Sequence, residues 1–179
     1  MTAADDDEAP GWQPVTMPAL LGVLGFALAV LWFGHTGERW FPLLDGANLL
    51  FHEAGHPLAG LLSERLAVYG GTIAQLAFPL AAAWHFRRRG ATASFAACLV
   101  WLNQNLFNIA RYVGDARARA LPLVGGADPE DAHDWAEILG RFGLLQADTR
   151  LAGFVVMLGW LGILASVGWL GWRWWSERA

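Results

Sequence analysis

Phe41-Pro42-Leu43-Leu44-Asp45-Gly46-Ala47-Asn48-Leu49-Leu50-Phe51-His52-Glu53-Ala54-Gly55-His56-Pro57-Leu58-Ala59-Gly60-Leu61-Leu62 is an apolar, helix-length segment with a five-residue H-E-x-x-H core. On a helix, His52 and His56 lie one turn apart on one face, where both imidazoles reach one metal ion. Glu53 then sits beside the open coordination position, placed to take a proton from a water there. Ionisable groups in so apolar a segment are costly and mark function by default. The segment therefore points to a zinc-dependent hydrolase whose site lies within a membrane, with Zn2+ as cofactor.

The rest of the chain supports that setting. Of 179 residues, 55% are hydrophobic, and they fall in blocks close to bilayer-spanning length. The expected fold is all-α, a polytopic membrane helical bundle of about five transmembrane helices. The spans are 18–34, 42–62, 66–86, 91–113 and 151–172, with Gly70-Gly71 and Pro79 expected to bend or shorten the third. A polar segment, 114–150, separates the last two spans and carries a short helix near 135–145. Residues 1–16, acidic and holding two prolines, are expected to be a disordered tail. Residues 17–179 then form one membrane-embedded domain. The partners implied are the lipid bilayer and a membrane-protein or peptide substrate. A net charge of −4 without a basic stripe argues against nucleic acid. One cysteine, Cys98, excludes both an internal disulfide and a four-cysteine zinc site.

Arg87-Arg88-Arg89 places the third loop in the cytoplasm by the positive-inside rule. Alternation alone gives a second result. The C-terminal half of span two, the start of span three, the end of span four and the beginning of the 114–150 segment share one membrane face. His52, His56, Gln75 and Asp115 should therefore converge.

A catalytic zinc takes three protein ligands and keeps one position open. Asp115 is the first candidate for the third. Trp101, Asn105, Asn108, Tyr112 and Asp115 follow one another at spacings of 4, 3, 4 and 3, a single helical face leading from two amides to a carboxylate. Asn105, Asn108 or Gln75 would donate to a developing oxyanion. Asn103 and Gln104, off that face, suit a helix–helix seam. His133 is the alternative third ligand. Asp134 beside it reads as the cap of the helix from Trp135, although a His-Asp pair on this side of the membrane also suits a segment folded over the metal. Asp45 reads as a cap of its own helix, and Asn48 as a neighbour of His52.

The H-E-A-G-H run in a membrane helix resembles the site-2 protease class of intramembrane zinc metalloproteases. That resemblance covers spans two to four. It implies peptide-bond cleavage in or near the membrane, a third ligand that is an aspartate on a later helix, and an asparagine upstream of it; Asn108 and Asp115 match in order and spacing. The chain departs from the class in having Val113-Gly114-Asp115-Ala116 where Leu-Asp-Gly is usual. Residues 115–135 also look like a segment of a group of small bacterial membrane proteins, which implies a bacterial inner (plasma) membrane. Two further readings stay open from the residues: a zinc-dependent hydrolase of a lipid or other amide, and a non-catalytic metal-binding membrane protein.

Overall fold

The computed structural model describes residues 11–35, 41–122 and 132–178. Within them the chain is all-helical: α1 Met17–His35, α2 Pro42–Gly60, α3 Glu64–Arg88, α4 Thr92–Gly114, α5 Asp134–Arg141, a 3-10 turn Leu145–Ala147, and α6 Asp148–Ser176. Three helical segments are long and apolar enough to cross a membrane: Met17–Gly34, Glu64–Arg88 and Leu145–Ser176. Of the five expected spans, those carried by α2 and α4 fall short of that apolarity. Both are interrupted by polar side chains, several of them buried: Asp45, Asn48 and His52 on α2, Gln104 and Asn105 on α4.

Each helix starts for a local reason. Pro42 opens α2, where its fixed φ suits the first turn. The Asp45 carboxylate reaches back to accept the Phe41 N–H at 2.6 Å; it lies inside the first turn, not at the N-cap expected for it, because Pro42 already starts the helix after Phe41. Ser63 caps α3 by accepting from the Arg65 N–H. Gly90, with φ +64°, takes the left-handed conformation that ends α3. Pro79 lies inside α3, yet the helix runs on to Arg88.

Helix α4 is the centre of the bundle. Val100 and Phe107 pack with Val23, Ala27 and Val30 of α1 and with Ile163 and Leu170 of α6. At its C-terminal end, Ile109 and Val113 pack with Ala136 and Leu139 of α5, so the short helix docks beside the last turns of α4. Helices α2 and α3 cross through glycines. A Cβ on Gly55 would strike the Gly70 carbonyl, and a Cβ on Gly70 would strike that of Gly55. Only small residues permit this backbone approach, and it brings α3 close beneath the α2 histidines. Leu43, Leu50, Leu58, Leu61 and Leu62 stand exposed, apolar side chains that suit lipid.

The N-terminal expectation needs correction for residues 11–16. Trp12 packs against Phe95 and Trp169, each at 5.0 Å between ring centroids, with the Arg87 guanidinium over its ring. Val15 is buried, and its N–H donates to Glu177. An aromatic ring with a cation over it outweighs the polar composition of the tail. Residues 1–10 of the expected tail lie outside the described residues.

Candidate metal centre

His52 and His56 project from one face of α2, and each is oriented through its Nδ1. That of His52 lies 2.9 Å from the Gln75 side-chain oxygen on α3. That of His56 lies 2.9 Å from the Ala67 carbonyl. An oxygen that only accepts leaves the proton on Nδ1, so the Nε2 lone pair of each ring points the other way. Both lone pairs meet the same atom: Asp134 Oδ2, 3.0 Å from His52 Nε2 and 3.3 Å from His56 Nε2. Three acceptors at such distances repel one another unless protons or a metal cation lie between them.

The donor set fits a metal. Donors bound tetrahedrally to zinc at 2.0–2.1 Å stand about 3.3 Å apart, close to the two separations seen. Among the described residues, His52, His56 and Asp134 are the group of potential ligands that converges in this way, their ligand atoms all within 4.8 Å of one another. Two imidazoles with a carboxylate suit zinc among other transition metals. The oxygens holding each Nδ1–H fix tautomer and ring orientation, as partners of metal-bound histidines do. Gly71 makes room for this: a Cβ there would stand 2.6 Å from His52 Nε2. His52 and Asp134 are both buried, at 7% and 8% exposure. Burial pushes the Asp134 carboxyl up, but the imidazoles of His52 and His56, when they carry a proton on Nε2, outweigh it, and the net direction is downward.

Convergence at one face, expected from alternation, is present, but with roles redistributed. Asp115 is not with the imidazoles. Its carboxylate accepts from the Ala120 and Leu121 N–H groups, each at 3.0 Å, and from His133 Nε2 at 3.3 Å. His133, the alternative ligand, has both ring nitrogens engaged, since its Nδ1 accepts the Ala136 N–H at 3.2 Å and so caps α5. Burial pushes this imidazole below its ordinary pKa, against the pull of Asp115, in keeping with a neutral ring that accepts at one nitrogen and donates at the other. The capping and metal-facing roles are thus exchanged relative to expectation. A neutral ring nitrogen suffices to cap, and the carboxylate faces the imidazoles instead.

Glu53 is half-buried and borders both cavities of the site. The inner, of about 260 Å³, is also lined by Asp45, Asn48, His52, Thr72, Gln75, Asn108, Arg111, Tyr112 and Trp135. The outer, of about 350 Å³, includes His52, His56, Glu64, Tyr112, Asp134 and Glu137. Among the two amides proposed for catalysis, Asn108 lines the inner cavity, and its amide nitrogen donates to Asp45 at 3.0 Å. Asn105 is turned elsewhere: it is fully buried, and its amide bonds the Trp101 carbonyl one turn back. Gln104, expected at a helix–helix seam, is the hub of the α2–α4 seam, donating to Asp45 and accepting from Asn48, each at 2.6 Å. Trp101 Nε1 donates to Asn48 at 2.7 Å. Tyr112 is the residue whose importance the sequence understated. It borders both cavities, its ring lies 5.8 Å from that of His52, and its hydroxyl accepts the Asp134 N–H at 3.1 Å.

The chain matches no family model, no curated protein and no solved structure.

Proposed function

We propose that the protein is a membrane-embedded zinc metallopeptidase, hydrolysing peptide bonds in or near the bilayer, with His52, His56 and Asp134 as metal ligands. The observation that carries this reading is the convergence of two imidazole lone pairs and a carboxylate oxygen next to a glutamate that borders two open cavities. All five long helices are taken to cross the bilayer, α2 and α4 burying their polar faces against each other. The bound ion would supply Lewis acidity toward a water and a carbonyl oxygen.

The residues of the chain do the rest. Glu53 accepts the proton of the attacking water and passes it to the leaving amine. It is free to do so, since among the described residues no hydrogen bond or ion pair holds its carboxylate. Gln75 gives its oxygen to His52, so its amide N–H groups remain to donate into the inner cavity. The Tyr112 hydroxyl, accepting from Asp134, still has its own proton to give to an oxyanion. Thr72 Oγ1 is buried without a hydrogen-bond partner among the described residues, and Thr72 borders the same cavity. A buried hydroxyl of this kind calls for a water or a substrate group. Asn108 donates one amide N–H to Asp45 and keeps the second for an oxyanion.

The inner cavity favours one rival. Leu49, Ile109 and Trp135 give it an apolar wall, and Arg111 borders it, a combination that suits an amphiphile with an anionic head. Purified protein tested against membrane-peptide and lipid panels separates the two readings. Peptide cleavage lost in Glu53→Gln supports the peptidase. Turnover confined to lipids would replace it with a lipid hydrolase. Turnover retained in Glu53→Gln would remove the general-base role.

A further inference from the structure

We infer that Tyr112, Asp115 and His133 act together as a latch that holds Asp134 at the two imidazoles, so that metal affinity depends on three residues that do not touch the metal. This rests on the metal-centre reading above. The third ligand is carried by α5, a helix of eight residues. So short a helix has little stability of its own, and its position must come from contacts.

Those contacts surround the ligand. One residue before it, the His133 side chain is fully buried and packs on the Tyr112 ring with 4.2 Å between centroids. Its Nε2–H faces Asp115. At the ligand itself, the Asp134 N–H donates to the Tyr112 hydroxyl. Two residues after it, the Ala136 N–H is taken by His133 Nδ1. Tyr112 and Asp115 lie three residues apart at the C-terminal end of α4. Asp115 is itself fixed by the Ala120 and Leu121 N–H groups. His133 therefore has no ring nitrogen left for a metal. The carboxylate of Asp115 already accepts three N–H groups. Both are positioning residues: they set the backbone on either side of Asp134, and so direct its Oδ2 at His52 and His56. Partners of this kind are worth about 10- to 100-fold in metal affinity.

The test is the zinc dissociation constant of detergent-purified full-length protein, measured by competition with a chromophoric chelator. The visible spectrum of the cobalt-substituted protein gives a second readout, of coordination geometry. Asp115→Ala and His133→Leu should each weaken zinc about 10- to 100-fold and alter the cobalt spectrum. His133→Asn, whose amide supplies both a capping oxygen and an N–H for Asp115, should restore much of the affinity and the wild-type spectrum. If Asp115→Ala does not fold, as judged by metal-free thermal unfolding, Asp115→Asn replaces it. It keeps one acceptor oxygen and loses the carboxylate, so the same weakening is expected. Wild-type affinity and spectrum in Asp115→Ala (or Asp115→Asn) and His133→Leu would overturn the latch while leaving the metal centre intact. So would complete loss of zinc in the Asp115 variant with zinc retained in Asp134→Ala, which would make Asp115 the ligand. A folded wild type that takes up no zinc would overturn both the latch and the metal centre.

Discussion

Gly71→Ala is a one-methyl change whose consequence follows from distances. The added Cβ would stand 2.6 Å from both Cε1 and Nε2 of His52, and 2.8 Å from Cδ2. Carbon contacts settle at about 3.5–4.0 Å, so the ring must retreat by roughly 1 Å. It has little freedom to do so, because its Nδ1 bonds Gln75 at 2.9 Å and its Nε2 faces Asp134. Functional constellations tolerate displacements of only about 0.5 Å. Overpacking a filled site costs about 1–3 kcal/mol. If that cost falls on the metal-bound geometry, zinc affinity drops about 5- to 150-fold at 1.4 kcal/mol per tenfold. Because the methyl sits beside the ligating nitrogen, the loss should show in metal binding more than in folding. A zinc competition titration, with the unfolding temperature of the metal-free protein as control, measures both. Gly140→Ala is the matched comparison: its Cβ meets nothing within 4 Å, so zinc affinity should not change. Gly71→Ala binding zinc as tightly as wild type, in a folded protein, would refute the placement of His52.

Three other outcomes follow from the same geometry. Glu53→Gln should keep wild-type zinc content and lose turnover by at least about 100-fold, read by metal analysis beside an activity assay. Gln104→Leu removes hydrogen-bond partners from both Asp45 and Asn48 and should destabilise the protein by about 1–3 kcal/mol, seen as a lower unfolding temperature in detergent. Chelation of the metal removes one attachment of α5, leaving its N-terminal bonds to Tyr112 and His133 and its packing on α4. Amides of residues 136–141 should then exchange with solvent at least several-fold faster, measured by hydrogen–deuterium exchange with and without chelator.

The part of the site written in consecutive residues was legible before the structure. His52, Glu53 and His56 occupy one helix, and a 3.6-residue period fixes their relation. Helices of alternating direction bring Gln75 and Asp134 to them. The polar stripe on α4 was nearly right: Trp101, Asn108, Tyr112 and Asp115 all face the site or its seam. Gln104 holds the seam expected of it, whereas Asn105, placed on the stripe, turns onto the Trp101 carbonyl, since the helical period alone does not say which amide α2 will meet. The third candidate ligand was not legible. Asp115, His133 and Asp134 are all suitable donors on the correct face. What separates them is which atoms are already spent on backbone N–H groups, and that depends on how α5 packs against α4. The polar interruptions of α2 and α4 follow from the same cause: these helices carry the seam and the site, so their composition departs from that of a plain membrane span.

The most direct test of the metal centre is the zinc content of detergent-purified protein, wild type beside His56→Ala and Asp134→Ala. The account predicts about one zinc per chain in the wild type, lost in both variants while their helical content is kept. Zinc retained in Asp134→Ala, or no zinc in folded wild type supplied with the metal, would contradict it.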